Sequence, residues 1–155
     1  MKTAVLATSI LAAAATALAV PSNYNSKRTD LRPLAILDLA GSTYSQTPPT
    51  SQVISLTIND PNTGLPSTTN ATDCNAAWSF GEPGSEKFPC DDPSYTISFP
   101  DGLFNLENFT LEVTRADGAQ SGTAQVSGVD WGCAKHDGYP EETCGWVGVL
   151  QVPLH

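Results

Sequence analysis

Beyond position 30, apolar residues recur at every second position or in short blocks, and turn-forming residues cut them into segments. That period belongs to strands; an amphipathic helix would repeat at three and four. "LAILDLAG" (Leu34–Gly41) reads as a first strand. "SQVISLTIND" (Ser51–Asp60) follows with Ile54, Leu56 and Ile58 on one face, and Asp60, Pro61 and Gly64 turn it. Between Cys74 and Cys90 a short strand "AAWSF" (Ala76–Phe80) precedes a Gly/Pro-rich loop. "YTISF" (Tyr95–Phe99) is stopped by "PDG". "NFTLEVTR" (Asn108–Arg115) alternates cleanly, with Phe109, Leu111 and Val113 on one side and Thr110, Glu112 and Thr114 on the other. Asp117-Gly118 is a hairpin signal. "TAQVSGVDW" (Thr123–Trp131) returns, and "WVGVLQVPL" (Trp146–Leu154) follows as a closing strand. The pattern predicts an all-β fold, a compact antiparallel β-barrel or sandwich, stapled by two disulfides.

"WGCAKHDGYPEETCGW", Trp131 to Trp146, is nearly a mirror. If Cys133 and Cys144 oppose each other across a hairpin, Gly132 faces Gly145, Trp131 faces Trp146, and further on Gly128 faces Val149. Side chains two apart share a side, so the cysteines and tryptophans fall on one face. Directly opposed residues can sit about 4.5 Å apart at Cα, within disulfide reach. Parity then creates a conflict. A two-residue turn at Asp117-Gly118 puts Phe109, Leu111 and Val113 with Ala124 and Val126, and that face continues to Val147 and Val149. The tryptophans are left on the other face. Either a β-bulge near Gly128 switches the faces, or Trp131 and Trp146 lie outside the core, where large apolar groups mark a contact site. Burial under a loop is preferred to exposure.

Composition narrows the setting. "MKTAVLATSILAAAATALA" has a basic start, an apolar stretch and a small-residue end at Ala17-Leu18-Ala19, which predicts a secretory signal peptide over 1–19. It is short for a membrane anchor, which needs about 20 predominantly apolar residues. Residues 20–30 form a polar arm in which Lys27-Arg28 is a dibasic processing candidate, and 31–155 is expected to be one domain. With Lys2 removed, 6 basic residues face 16 acidic ones. Such a charge disfavours nucleic acid and anionic membrane as partners.

Four cysteines in a small secreted chain predict two disulfides; of three connectivities, spacing favours Cys74–Cys90 and Cys133–Cys144. No C-x-x-C spacing supports zinc, so neither a metal nor another cofactor is expected, and no cysteine is left for a covalent dimer. Asn70-Ala71-Thr72 and Asn108-Phe109-Thr110 are N-glycosylation sequons, Asn70 the better placed in its Thr-rich loop.

The polar residues between the cysteines, His136, Asp137, Tyr139, Glu141 and Glu142, invite a catalytic reading. A glycosidase needs two carboxylates in different environments across a cleft, whereas Glu141 and Glu142 are neighbours at a loop tip. Nucleophilic catalysis needs a base beside a Ser or Cys, and the chain has no G-x-S-x-G. A small acidic ribonuclease would need a Glu, Arg and His together, for which Glu112, Arg115 and His136 are the candidates.

The cysteine frame, with "SYTISFPDG", "FTLEVTR", "GVDWGC", "CGW" and "VGVLQVPL" in order, resembles the Alternaria major-allergen family of secreted fungal proteins over Leu34–Leu154. The resemblance implies a β-barrel with two local disulfides and a role as an allergen, effector or elicitor that meets plant defence proteins. It implies no established enzyme activity and supplies no catalytic residues. The strands here are more often interrupted by Pro and Gly, and the extra N-terminal cysteine that can link two chains is missing. The expected function is therefore a secreted, non-enzymatic binding protein, a glycoprotein with a place in virulence. Its contact surface would comprise Trp131, Trp146, His136, Asp137, Glu141 and Glu142, and its partner a host extracellular protein or a small ligand. Two rivals stand beside it. One is a small secreted hydrolase using acidic loop residues. The other is a carbohydrate- or small-ligand-binding module, which predicts Trp131 or Trp146 exposed beside a groove.

Overall fold

The computed structural model describes residues 31–45, 51–64, 70–79, 86–116, 118 and 120–155. The expected signal peptide, the arm and Lys27-Arg28 lie outside the described residues, as does Phe80. Ten strands are present among the described residues. They are β1 (Leu34–Tyr44), β2 (Ser51–Asn59), β3 (Ala71–Ser79), β4 (Phe88–Pro89), β5 (Tyr95–Ser98), β6 (Phe109–Arg115), β7 (Ser121–Val126), β8 (Trp131–Lys135), β9 (Glu142–Trp146) and β10 (Leu150–Val152). The fold is all-β and antiparallel.

Alternation decides the long strands. In β2, Gln52, Ile54, Leu56 and Ile58 are buried while Val53, Ser55 and Thr57 are half-buried. β3 begins at Ala71, well before the expected "AAWSF", and alternates throughout, with Thr72, Cys74, Ala76 and Trp78 inward. A threonine and a cysteine at inward positions hid its first half from a hydrophobic reading. β1 changes its inward set from Leu34 and Ile36 to Leu39 and Gly41. The switch occurs at a bulge where Asp38 takes φ 51° and the register against β2 slips between Leu37 and Ala40. Aspartate is among the few residues that accept this left-handed conformation.

The strands form two sheets. One has the order β3-β2-β1-β9-β8, with β10 also on β1; the other is β4-β5-β6-β7. The free edge of β1 is divided between two partners: Leu34–Ile36 pair with β10, and Ala40–Thr43 pair with β9. The sheets do not close into a continuous barrel. They meet at two isolated bridges, Cys74 with Cys90 between β3 and β4, and Gly122 with Leu154 beside β7. The Cys74–Cys90 disulfide lies on the first seam. Backbone bonds between Ser121 and His155 extend the second.

Between the sheets runs a chain of aromatic rings. Trp78 lies 5.8 Å from Phe99, Phe99 lies 5.6 Å from Phe109, and Phe109 lies 5.8 Å from Trp131 in an edge-to-face arrangement. Offset and edge-to-face pairs of this kind each add about 0.5–1.5 kcal/mol beyond area burial. Leu34, Ile36, Ile54, Ile58, Ile97, Leu111 and Val113 complete one continuous core.

The register of β6 against β7, Phe109 with Val126 and Leu111 with Ala124, is the one the Asp117-Gly118 turn predicts. Beyond it the inward face does not continue. Val147 and Val149 are exposed rather than in the core, and Gly128 does not pair with Val149. The reason is that the chain leaves one sheet after Val126 and enters the other at Trp131. Gly128, with φ 83°, turns it, and Gly148, with φ 92°, separates β9 from β10. Such conformations cost glycine little. The single strands expected over Thr123–Trp131 and Trp146–Leu154 are therefore each broken.

Candidate functional site

The mirror segment folds as a hairpin, with Trp131 opposite Trp146, Gly132 opposite Gly145 and Cys133 opposite Cys144. Cys133–Cys144 is a disulfide with 4.0 Å between Cα atoms, and both expected pairings are present. The two tryptophans have separate fates. Trp131 is 5% exposed; its indole N–H donates to the Leu106 carbonyl at 2.6 Å, and its ring meets the edge of Phe109. Trp146 is half-buried against the core. The 103–106 loop therefore covers Trp131, which is removed from any contact surface.

At the opposite end of the hairpin, His136, Asp137, Gly138 and Tyr139 are exposed. The His136 Nε2 lies 2.8 Å from Thr143 Oγ1, and its backbone N–H donates to the Glu141 carbonyl at 2.8 Å. Glu141 straps the loop to the end of β1. Its N–H donates to Thr43 O at 3.1 Å, and its carboxylate accepts the Ser45 N–H at 2.7 Å. Hydrogen bonding from Ser45 holds the Glu141 carboxyl below its ordinary pKa. Tyr139 packs on Tyr44 with ring centroids 4.9 Å apart. Glu142 pairs with Lys135 at the end of the ladder. At about 3.3 Å per residue, β8 separates Trp131 from this loop by about 13 Å, and of the six expected contact residues Trp131 is buried while His136 and Asp137 are exposed. Glu142 Oε lies within 4.8 Å of both Cys133 and Cys144 sulfurs, but those sulfurs are oxidised and offer no thiolate to a metal.

The ribonuclease candidates occupy three different settings. Glu112 and Arg115 are three apart on β6 and so lie on opposite faces. Glu112 accepts a hydrogen bond from Ser98 Oγ at 2.8 Å. Arg115 turns inward, 3.7 Å from Asp60 and hydrogen-bonded to Gln120 Oε1 at 3.1 Å. His136 belongs to the hairpin of the other sheet.

Asp60 is a residue whose role the sequence reading missed beyond its turn. It is fully buried, and its carboxylate accepts the Tyr95 hydroxyl at 2.8 Å and the Asn62 N–H and side-chain amide at 2.8 and 2.9 Å. The Arg115 guanidinium lies 5.9 Å from the Tyr95 ring centroid. Burial first, then the Asp60 hydrogen bond and charge, push the Tyr95 hydroxyl up to about 12. The buried Asp60 carboxylate is thus hydrogen-bonded and ion-paired within the fold, as buried charge requires. The "D-P-N" triplet signals the Asx turn, but nothing in the sequence signals that Tyr95 and Arg115 reach it from the other sheet.

Among the described residues, two further surface features bear on function. On the turns flanking the tryptophan end of the hairpin, Val129, Val147 and Val149 are 99%, 74% and 48% exposed. Their turns are joined by the Val147 N–H to Asp130 carbonyl bond at 2.8 Å, and Trp146 adjoins them in the chain. The second feature is an open hollow of about 260 Å³ whose walls include Asp101, Phe104, Asn105, Asn108, Thr110 and Gln125. No helix among the described residues is long and apolar enough to cross a membrane. Two disulfides suit an oxidising, extracellular-type compartment. No family model, curated protein or solved structure matches the chain.

Proposed function

We propose that the protein is secreted and acts by binding, with Val129, Val147, Val149 and the adjoining Trp146 as the contact surface. The observation that carries this is the grouping of exposed apolar side chains on two hydrogen-bonded turns. Isolated exposed valines need no explanation, whereas a grouped patch on a stable scaffold marks a site of association. Asp130 lies on the same turns, and the chain carries a net charge of −9. The complementary partner presents an apolar patch with basic surroundings. A host extracellular protein is the partner in this reading, and the protein is a fungal effector or elicitor of the allergen-like kind that its cysteine frame resembles.

The test is affinity capture from plant apoplastic fluid with the secreted protein and with V129D/V147D. A partner held by the wild type and lost by a variant with unchanged circular dichroism supports the reading. No specific partner, together with turnover of a polysaccharide or RNA, sinks it in favour of a hydrolase.

A further inference from the structure

We infer that Asn108 carries an N-linked glycan whose first sugar lies in the hollow between Phe104 and Gln125. The inference rests on passage through the secretory pathway, as proposed above. Asn108-Phe109-Thr110 is one of two sequons, and the structure separates them. Asn70 is half-buried, and its side-chain amide nitrogen, the atom a sugar would occupy, donates to the Asp60 carbonyl at 3.2 Å. A sugar there would have to be seated on a half-buried nitrogen beside the buried Asp60 cluster. Asn108 is exposed. Its Oδ1 accepts from the Gln125 side-chain amide, and Nδ2 makes no hydrogen bond among the described residues. The Asn105 carboxamide fixes the approach, accepting the Glu107 and Asn108 N–H groups at 3.1 and 3.2 Å.

The hollow fits that occupant. Its volume of about 260 Å³ is below the ~300–1,000 Å³ typical of sites for larger ligands, and suits a single ring. Phe104 is 73% exposed and offers an aromatic face to the C–H side of a sugar. Across from it, Asp101 and Gln125 carry side-chain oxygens that share the Thr110 hydroxyl, at 2.5 and 3.1 Å; their remaining acceptor capacity suits sugar hydroxyls and an acetamido N–H.

The chemistry sets the timing. Nδ2 of Asn108 bonds to the anomeric carbon of an N-acetylglucosamine-ended oligosaccharide carried on a lipid pyrophosphate. The anomeric C–O bond to the carrier breaks, the lipid pyrophosphate leaves, and one amide proton passes to a base of the transferase. Phe109, the middle residue of the sequon, is buried in the folded protein. Transfer therefore precedes the docking of β6.

The test expresses the full chain in a secreting yeast and maps glycopeptides of the wild type, N70Q and N108Q. The expected result is a glycan on Asn108, lost in N108Q and kept in N70Q. Enzymatic deglycosylation then lowers the melting temperature of the wild type by a few degrees but leaves that of F104A, glycosylated to the same extent, nearly unchanged. A secreted protein unmodified at Asn108, or one whose deglycosylation shifts wild type and F104A equally, overturns the inference while secretion stands. A protein retained in the cytosol without glycan overturns both. The hollow's chemistry would also accept a soluble sugar. Resonances of Asp101, Phe104 and Gln125 that move with chitobiose in a secreted protein unmodified at Asn108 assign the hollow to that source and overturn the covalent one.

Discussion

At Gly122 a Cβ would sit 2.4 Å from the Pro153 carbonyl oxygen and 2.8 Å from Val152 Cγ1. The obstacle is backbone, so a side chain there must part β7 from residues 152–154. Gly122→Ala is expected to cost about 1–3 kcal/mol, read as a lower urea midpoint at unchanged slope. Tyr95 gives a pH dependence. Its proton is held up to about pH 12 in the fold, whereas an unfolded tyrosine releases it near 10. The folded pKa is the higher one, so this contribution to stability is complete below about pH 10 and is lost as pH rises toward about 12. Urea melts across that window should show a fall that is smaller in Tyr95→Phe, which is already weaker at neutral pH for want of the bond to Asp60. The sequence shows little of either effect. Gly122 reads as one small residue in "SGTAQV", and the tightness comes from a segment 30 positions away.

The β8–β9 hairpin is the element the sequence described best. Identical residues spaced symmetrically about one turn fix a register by themselves, and the cysteine and tryptophan pairs fall where the mirror puts them. What escaped it was the change of sheet at Ser127–Asp130, because period-two reasoning carries a face along a chain only while the strand continues. The split burial of the tryptophans follows: Trp131 bonds the Leu106 carbonyl of a distant segment and is buried, whereas Trp146 is half-buried. Among the described residues β8 has β9 as its sole ladder partner. C133A/C144A should lose up to about 3 kcal/mol, the magnitude for a loop of this length. The loss should be local. Amide exchange by NMR is expected to speed up in β8 and around His136, with β2, β5 and β6 retaining most of their protection.

Across the whole molecule the alternating strands were legible and their closure was not. Periodicity identifies a strand from its own residues, whereas the two seams rest on single bridges between distant positions. For the same reason the exposure of Val147 and Val149 was not legible: valines in an apolar run look like core in a sequence. Cys74–Cys90 bridges β3 and β4, one strand from each sheet, so C74A/C90A should behave unlike the hairpin variant. It is expected to lose about 3 kcal/mol and to speed exchange throughout both sheets, since the seam it closes supports the common core.

The division of one edge of β1 between β9 and β10 has a consequence for association. Residues 150–155 satisfy the Leu34–Ile36 edge and also meet β7 through Leu154 and His155. A chain cut after Val149 would present two open ladders at once, one on each sheet, at Leu34–Ile36 and at Ser121–Gly122. Unpaired ladders recruit strands from other molecules. Such a fragment should grow in size by light scattering at concentrations where the intact protein does not, and adding the severed peptide should suppress that growth. Six residues thus cap two edges from within the same chain, a strand the protein supplies to itself at both places.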